Sequence, residues 1–97
     1  MASMTLSSSL FDLVPEKERA HARARKSVSL TARTWPEAAR ELRIRFPQLA
    51  QRILTESGSV AEGFLLAFNG ALLARGEAPR NLATEDEIHV LAQMAGG

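Results

Sequence analysis

Residues 34–47, TWPEAARELRIRFP, decide the fold of this 97-residue chain because they carry a complete helix signal. The first residues form a capping box, in which the Thr34 hydroxyl accepts a hydrogen bond from the Glu37 amide and the Glu37 side chain reaches back. Pro36 is tolerated in the first turn, where amides lack helical partners. Pro47 ends the helix because a proline disfavours the helical conformation at the residue before it. The stretch therefore predicts one main helix.

Apolar side chains recur along this helix at the spacing of a single buried face. They are Trp35, Ala38, Ala39, Leu42 and Phe46. Glu41 and Arg45 are four residues apart and are expected to support the helix as an ion pair. Ile44 lies on the opposite side of the helical wheel, so it is either exposed or covered by the segment around Leu49 and Ile53, and packing is the favoured alternative. That segment, residues 48–55, is predicted to form a second short helix.

Two strands are predicted before the main helix. In residues 6–11 apolar and polar side chains alternate, which favours a first strand. In residues 23–32 the side chains of Val28, Leu30 and Ala32 fall on one face, which favours a second strand. A short connection between them suggests a hairpin. Residues 1–5 are interpreted as a disordered or expression-derived leader.

A hairpin and a last strand are predicted after the helix. Phe64–Phe68 is an apolar run, and the Asn69-Gly70 pair that follows is the strongest short hairpin signal. Residues 71–73 should therefore fold back, and residues 88–92 form the last strand. A single apolar helix face is buried most simply on one face of a mixed sheet. The sequence thus predicts an α+β fold of the β-grasp kind, with about five strands, one main helix and a flexible C-terminal tail.

Composition excludes several classes of protein. A chain of this length holds a single domain, here residues 1–97. No apolar run approaches the roughly 20 residues needed to cross a bilayer. The absence of cysteine excludes a disulfide framework and thiol chemistry, and it fits a cytoplasmic location. A formal net charge of +1 gives no general attraction to nucleic acid or to a membrane surface.

No pattern in the sequence indicates catalysis or metal binding by the chain itself. His21 and His89 lack a second ligand at metal-like spacing. Asp86 is interpreted as a turn residue, and no phosphate-binding loop, Ser/His/Asp set or dinucleotide fingerprint is present. The alternation of His21, Arg23 and Arg25 predicts a charged outer face that discourages pairing at a sheet edge. Docking of an acidic partner is the alternative for those three residues.

The order of the elements, together with the end Gly96-Gly97, resembles the ubiquitin-like sulfur carriers of the MoaD/ThiS type. These include the small subunit of molybdopterin synthase and the sulfur carrier of the thiamine pathway. The matching pieces are Leu10-Phe11-Asp12-Leu13, Arg45-Phe46-Pro47-Gln48-Leu49, Phe68-Asn69-Gly70, Leu82 and Glu85-Asp86-Glu87-Ile88. Their order carries the resemblance, which covers the chain from about Leu6 onward.

The resemblance implies that the carboxylate of Gly97 is the reacting group. An E1-like adenylating enzyme would use ATP to adenylate it, and a sulfur donor would convert it to a thiocarboxylate. The thiocarboxylate would deliver sulfur to a biosynthetic enzyme, so the chain would be neither an enzyme nor the holder of a cofactor. The tail that enters the partner's active site is predicted to start at Ala92 and to comprise Gln93, Met94, Ala95 and Gly96. Glycine at its end suits a narrow cleft because glycine adopts every backbone conformation.

A partner surface is predicted on the sheet face that does not meet the helix. Leu65, Ala67 and Leu91 are its candidate members, as an exposed apolar patch. The alternative is that the loop after Ile53 or the second helix covers them. Two further functions stay open on the sequence alone. One is a ubiquitin-like modifier joined through Gly97 to lysines of target proteins, and the other is a β-grasp binding module with an inert tail.

Overall fold

The computed structural model describes residues 1–15 and 27–92. Segments 16–26 and 93–97 lie outside that description, and with them the predictions for His21, Arg23 and Arg25. The described elements, in chain order, are β1 Ala2–Thr5, α1 Ser8–Phe11, β2 Ser27–Leu30, α2 Trp35–Arg45, α3 Pro47–Ile53, β3 Phe64–Phe68, β4 Ala71–Leu72 and β5 Glu87–Ala92.

The five described strands form one mixed sheet in the order β2-β1-β5-β3-β4. Strand β1 is antiparallel to β2 and parallel to β5, and β3 is antiparallel to both β4 and β5. The first and last strands, β1 and β5, thus lie side by side inside the sheet. Along the sequence, the main helix α2 follows the pair β1 and β2 and precedes the pair β3 and β4. This is the predicted α+β architecture of the β-grasp kind.

The prediction of a leader at residues 1–5 is wrong, because these residues contain β1, an interior strand of the sheet. Ala2 and Met4 point into the core and are 2% and 0% exposed, while Ser3 and Thr5 alternate with them on the other face. Strand β1 pairs with β2 on one side and with β5 on the other. It is therefore the strand that joins the two halves of the sheet.

The predicted strand at residues 6–11 is also wrong, because Ser8–Phe11 form the single helical turn α1. The positions of Leu6 and Leu10 fit the two-residue period of a strand, which is why a strand was predicted. They fit the i, i+4 spacing of a helix equally well. Phe11 and Val14 favour the helix, because together with Leu6 and Leu10 they form an i, i+4, i+5, i+8 pattern. All four side chains are buried. Helical packing against the core therefore prevails over the alternation.

The predicted cap of α2 is confirmed. The Glu37 amide donates a hydrogen bond to Thr34 Oγ1 at 3.3 Å, and the Thr34 hydroxyl donates to Glu37 Oε2 at 3.2 Å. The same carboxylate oxygen accepts the Arg33 amide at 3.3 Å. Every member of the predicted apolar stripe of α2 is buried, and Trp35 also donates its indole N–H to the carbonyl of Gly58 at 2.8 Å.

Removing the cap should weaken the fold measurably. We expect Thr34→Ala to lower the free energy of unfolding by about 1 kcal/mol, because the first turn of α2 loses its side-chain acceptor. Urea unfolding followed by tryptophan fluorescence measures this change. Thr34→Ser keeps the hydroxyl and should stay close to the wild type. An equal loss in both variants would contradict a role for the hydroxyl.

The favoured packing of Ile44 is wrong and the alternative, exposure, is confirmed, since this residue is 75% exposed. The second helix does form, as α3, but it begins at Pro47, where the backbone turns at Phe46 (φ −132°, ψ 67°). The buried residues of α3 are Leu49, Ala50 and Ile53, and they belong to the same core as the apolar stripe of α2. Helix α3 thus packs against the buried side of α2 and leaves Ile44 in solvent.

The turn between β3 and β4 is the predicted Asn-Gly hairpin. Asn69 and Gly70 have φ values of 50° and 87°, and Phe68 pairs with Ala71, as a two-residue turn of this kind requires. The Asn69 side chain donates to Asp86 Oδ1 at 2.9 Å and accepts the Glu87 amide at 2.7 Å. It therefore joins the hairpin to the start of β5.

Asp86 is a turn residue, as predicted. Its Oδ2 accepts the amide of Ala83 at 2.7 Å. This backbone hydrogen bond, together with the one from the Asn69 side chain, holds the pKa of Asp86 below its usual value. The ionised carboxylate of Asp86 thus stabilises the acidic turn before β5 by accepting hydrogen bonds from the Ala83 amide and the Asn69 side chain.

Side chains of α2 close the outer edge of β2. Glu41 accepts the amide of Thr31 at 2.9 and 3.1 Å and that of Ala32 at 3.0 Å, while Arg45 donates to the carbonyl of Ser29 at 2.8 Å. The two side chains also form the predicted ion pair at 2.6 Å. The pair therefore occupies backbone groups that an added strand would use.

The stability contributed by Glu41 should depend on pH. Partial burial acts to raise the pKa of Glu41, but the bonds from Thr31, Arg45 and Ala32 outweigh it and place the pKa below the ordinary 4.5. The unfolded chain therefore binds the proton more tightly, so this contribution is present above about pH 4.5 and is lost as the pH falls through the lowered pKa. We expect Glu41→Gln to have a lower Tm than the wild type at neutral pH, with the difference shrinking in acid. A difference that stays constant with pH would contradict this assignment.

Candidate docking face and tail

The sheet face turned away from the helices is apolar on the β3–β5 side. In β3 the buried Leu66 faces the core, so Leu65 and Ala67 face outward. In β5 the buried Ile88 and Val90 face the core, so the residues that alternate with them, Glu87, His89 and Leu91, face outward. The register places Leu65 directly opposite Leu91. The predicted members Leu65, Ala67 and Leu91 thus lie together on one face.

Leu72 of β4 extends this apolar area and was not among the predicted residues. It lies directly opposite Ala67 and is 63% exposed. A signal for it exists in the sequence, because a two-residue Asn-Gly turn that pairs residue 68 with 71 must also pair 67 with 72. We call Leu65, Ala67, Leu72 and Leu91 the docking face.

The docking face is only partly covered. Leu91 is 43% exposed, and Leu65 and Ala67 are half-buried. The predicted alternative, in which the second helix covers these residues, does not hold, since α3 packs into the core on the opposite side of the sheet.

Among the described strands, the remainder of the outer face is polar. Strands β1 and β2 contribute hydroxyl side chains there, namely Ser3, Thr5, Ser27 and Ser29. His89 of β5 lies between the two parts, with Ala67 opposite it on β3 and Thr5 opposite it on β1. The face is therefore apolar on one side of His89 and hydroxylated on the other.

The tail begins one residue later than predicted. Ala92 is the last residue of β5 and pairs with Phe64 of β3, so it belongs to the sheet. The predicted roles of Gln93, Met94, Ala95, Gly96 and Gly97 fall on residues outside the described part of the chain, and they stay predictions. Five residues beyond Ala92 reach at most about 17 Å when extended.

A groove of about 540 Å³ lies between β2 and α2, beside Met1, Arg40 and the exposed Ile44. Its carboxylates are already engaged, since Glu37 caps α2 and Glu41 binds the backbone of Thr31. The groove thus offers no free acid or base from these two residues.

Within residues 1–15 and 27–92, no group of three or more His, Asp or Glu side chains is placed to hold a metal ion. None of the helices in those residues is long and apolar enough to cross a membrane. The buried side chains among them are all apolar.

Comparison with known proteins gives similarity in structure rather than in sequence. No protein-family model and no curated protein sequence matches the chain. SAMP1 (small archaeal modifier protein 1) from Haloferax volcanii has a TM-score of 0.62 at 21% identity, and the match covers 99% of this chain and 98% of that one. A chain of the Amycolatopsis orientalis BexX/CysO complex has a TM-score of 0.66 at 18% identity, with 100% of both chains covered.

Mycobacterium tuberculosis CysO, described as an antigen, has a TM-score of 0.62 at 18% identity, with 97% of this chain and 100% of that one covered. These identities are low, so the likeness concerns the fold. The part of the chain that the structure describes has the fold of these small proteins. The resemblance to ubiquitin-like β-grasp proteins is confirmed at that level.

Proposed function

We propose that the chain is a ubiquitin-like sulfur carrier that reacts through the carboxylate of Gly97. An E1-like adenylating enzyme joins this carboxylate to the AMP part of ATP and releases pyrophosphate. A sulfur donor then replaces AMP, and the resulting thiocarboxylate donates its sulfur in the biosynthesis of a cofactor or metabolite. The catalytic groups belong to these partners, and the chain supplies the carrier.

The observation that carries the proposal is the position of β5. This central strand presents Leu91 on the docking face and then leads, after Ala92, into the five residues that end at Gly97. Because those residues reach only about 17 Å, an enzyme that holds Gly97 in its active site must lie against the sheet near Leu91. An exposed apolar surface at that place suits such a contact.

The structural neighbours give further support. One is a chain of the BexX/CysO complex, a protein of this fold seen together with another protein. Docking through a sheet face, with the tail inserted in the partner, would allow the same for this chain. The partners expected here are the adenylating enzyme and a sulfur-accepting biosynthetic enzyme.

A second candidate function is protein modification, which the neighbour SAMP1 favours because it is named a modifier. In that case the amine of a target lysine attacks the adenylated carbonyl of Gly97, an amide bond forms, and AMP leaves. The first step is common to both functions. They differ only in the nucleophile that accepts the acyl group.

The test is to incubate the chain with the E1-like adenylating enzyme of its own genome, ATP and a sulfur source, and to measure intact mass. Exchange of one oxygen for sulfur at Gly97 supports the carrier, while heavier adducts linked through Gly97 to lysine support the modifier. We expect deletion of Gly96 and Gly97 to abolish either product completely. If neither product forms, and the truncated chain binds its partner as the full chain does, the tail is inert and the proposal is wrong.

A further inference from the structure

The Asn69-Gly70 turn places a side-chain amide next to a backbone amide that carries no side chain. An asparagine can react with the residue after it, because the backbone nitrogen of that residue can bond to Cγ and close a five-membered ring. A following side chain hinders this approach, but Gly70 has none, and no atom of the described residues lies within 4 Å of the place where its Cβ would stand. Both residues of the turn are exposed, so water and hydroxide reach them.

Hydrogen bonds to Glu87 and Asp86 hold Asn69 at the start of β5. The backbone N–H of Asn69 donates to the carbonyl of Glu87 at 2.8 Å, and its Oδ1 accepts the amide of Glu87 at 2.7 Å. Its Nδ2 donates to Asp86 Oδ1 at 2.9 Å. Before Cγ can meet the nitrogen of Gly70, the carboxamide must leave both side-chain partners. The reaction therefore proceeds only from a locally opened turn.

We propose that Asn69 is a site of spontaneous deamidation, and that the hydrogen bonds to Asp86 and Glu87 set its rate by keeping the turn closed. The Gly70 nitrogen gives its proton to hydroxide and bonds to Cγ of Asn69. The bond from Cγ to Nδ2 breaks, and ammonia leaves after taking a proton from water. Water then opens the resulting succinimide at either carbonyl, which gives aspartate or an isoaspartate whose chain runs through Cγ. The net change exchanges water for ammonia and needs neither an oxidant nor a cofactor.

Either product separates the hairpin from β5. Aspartate at position 69 lacks the N–H donor and places a carboxylate oxygen opposite Asp86 Oδ1, so a hydrogen bond is replaced by a repulsion between like charges. Isoaspartate also adds one atom to a backbone turn in which Phe68 pairs directly with Ala71. Leu72, which follows Ala71 and belongs to the docking face, then loses its fixed position on the sheet. The modification needs only the turn and water, so it stands apart from the proposed function.

The experiment incubates the folded full chain in mildly alkaline buffer and follows it by tryptic digestion and mass spectrometry. Replacement of NH₂ by OH raises the mass of the fragment 53–75, in which Asn69 is the only asparagine. The aspartate and isoaspartate forms of this fragment separate by chromatography. Asn81 is the internal control, because the side chain of Leu82 follows it, and it should stay intact.

Variants of the acidic turn test the role of the hydrogen bonds. We expect Asp86→Ala to raise the deamidation rate of Asn69 about three- to tenfold, because one hydrogen bond that closes the turn is lost. Asp86→Asn keeps an oxygen that can accept from Asn69, and its rate should lie between the two. Glu85→Ala, which removes the neighbouring acid, is the matched control and should keep the wild-type rate. Circular dichroism at the incubation temperature identifies the variants that are folded, and Asp86→Asn replaces Asp86→Ala if the latter is not.

Two results would overturn the inference. If Asn69 stays intact in the folded wild type and in the folded Asp86 variants, while the urea-unfolded chain reacts, the native turn is not a deamidation site. If the wild type and the folded Asp86 variants react at the same rate, the hydrogen bonds do not set it. Asn69→Asp reproduces one product and should have a lower Tm than the wild type. An unchanged Tm would show that the hairpin stays joined to β5 after the modification.

Discussion

Deletion of residues 1–5 is expected to leave the chain unfolded. The deleted segment contains β1, which pairs with both β2 and β5 and buries Ala2 and Met4 completely or nearly so. Without it, β2 has no neighbour among the described strands, and one side of β5 loses its hydrogen-bonding partner. Circular dichroism and the fluorescence of Trp35, which is buried in the native core, measure the loss.

A smaller change tests the same point quantitatively. Met4 is fully buried, so Met4→Ala should lower the free energy of unfolding by about 2–5 kcal/mol. Ser3 lies on the outer face of the same strand, and Ser3→Ala should stay within about 0.5 kcal/mol of the wild type. A truncated chain that still unfolds cooperatively, with a native-like spectrum, would contradict the central role of β1.

The middle of the chain could be predicted from the sequence because several local signals agree there. In α2 the cap at Thr34, the apolar stripe and the proline at position 47 all specify the same helix, and the structure contains it. The Asn69-Gly70 pair likewise specifies a turn whose geometry few other dipeptides adopt. Where independent signals converge, the local sequence is enough to define the element.

The beginning of the chain could not be predicted in this way because its signals are short and ambiguous. Strand β1 has only two inward-facing side chains, Ala2 and Met4, so its alternation is too brief to detect. Its stability comes from pairing with β5, more than 80 residues along the chain, which no local pattern records. The same holds for Ile44, whose exposure depends on the direction in which α3 leaves α2.

The placement of the apolar residues on the outer sheet face was predicted in part, while their role in docking stays a prediction. The apolar run of β3 contains more large side chains than one face can hold, which places Leu65 and Ala67 on the outer side. The contribution of His89 and the hydroxylated half of the face depends on the strand order, with β1 beside β5. Strand order is a property of the whole fold, so the composition of this border could not be read from any single segment.

Replacing the facing pair Leu65 and Leu91 by Arg and Glu is expected to weaken binding of the adenylating enzyme more than a hundredfold while the fold is kept. Each leucine loses an apolar contact worth only part of the roughly 1.5–3 kcal/mol of a complete burial, because Leu91 is 43% exposed and Leu65 is half-buried in the free chain. Each new charge must also lose water on binding, which adds to the penalty. A hundredfold loss corresponds to about 2.8 kcal/mol, which the two lost contacts and the desolvation of the two charges together should exceed.

The pair Leu65→Arg and Leu91→Glu is chosen because opposite charges that face each other across two strands stabilise a sheet, whereas two like charges would repel. Thermal unfolding of the variant should therefore stay close to that of the wild type, which separates loss of binding from loss of fold. Ile44→Glu is the control, because it removes an apolar side chain that is more exposed than Leu91 (75% against 43%) from α2, on the other side of the protein. Normal binding by the double variant, or an equal loss in Ile44→Glu, would show that the enzyme does not dock on this sheet face.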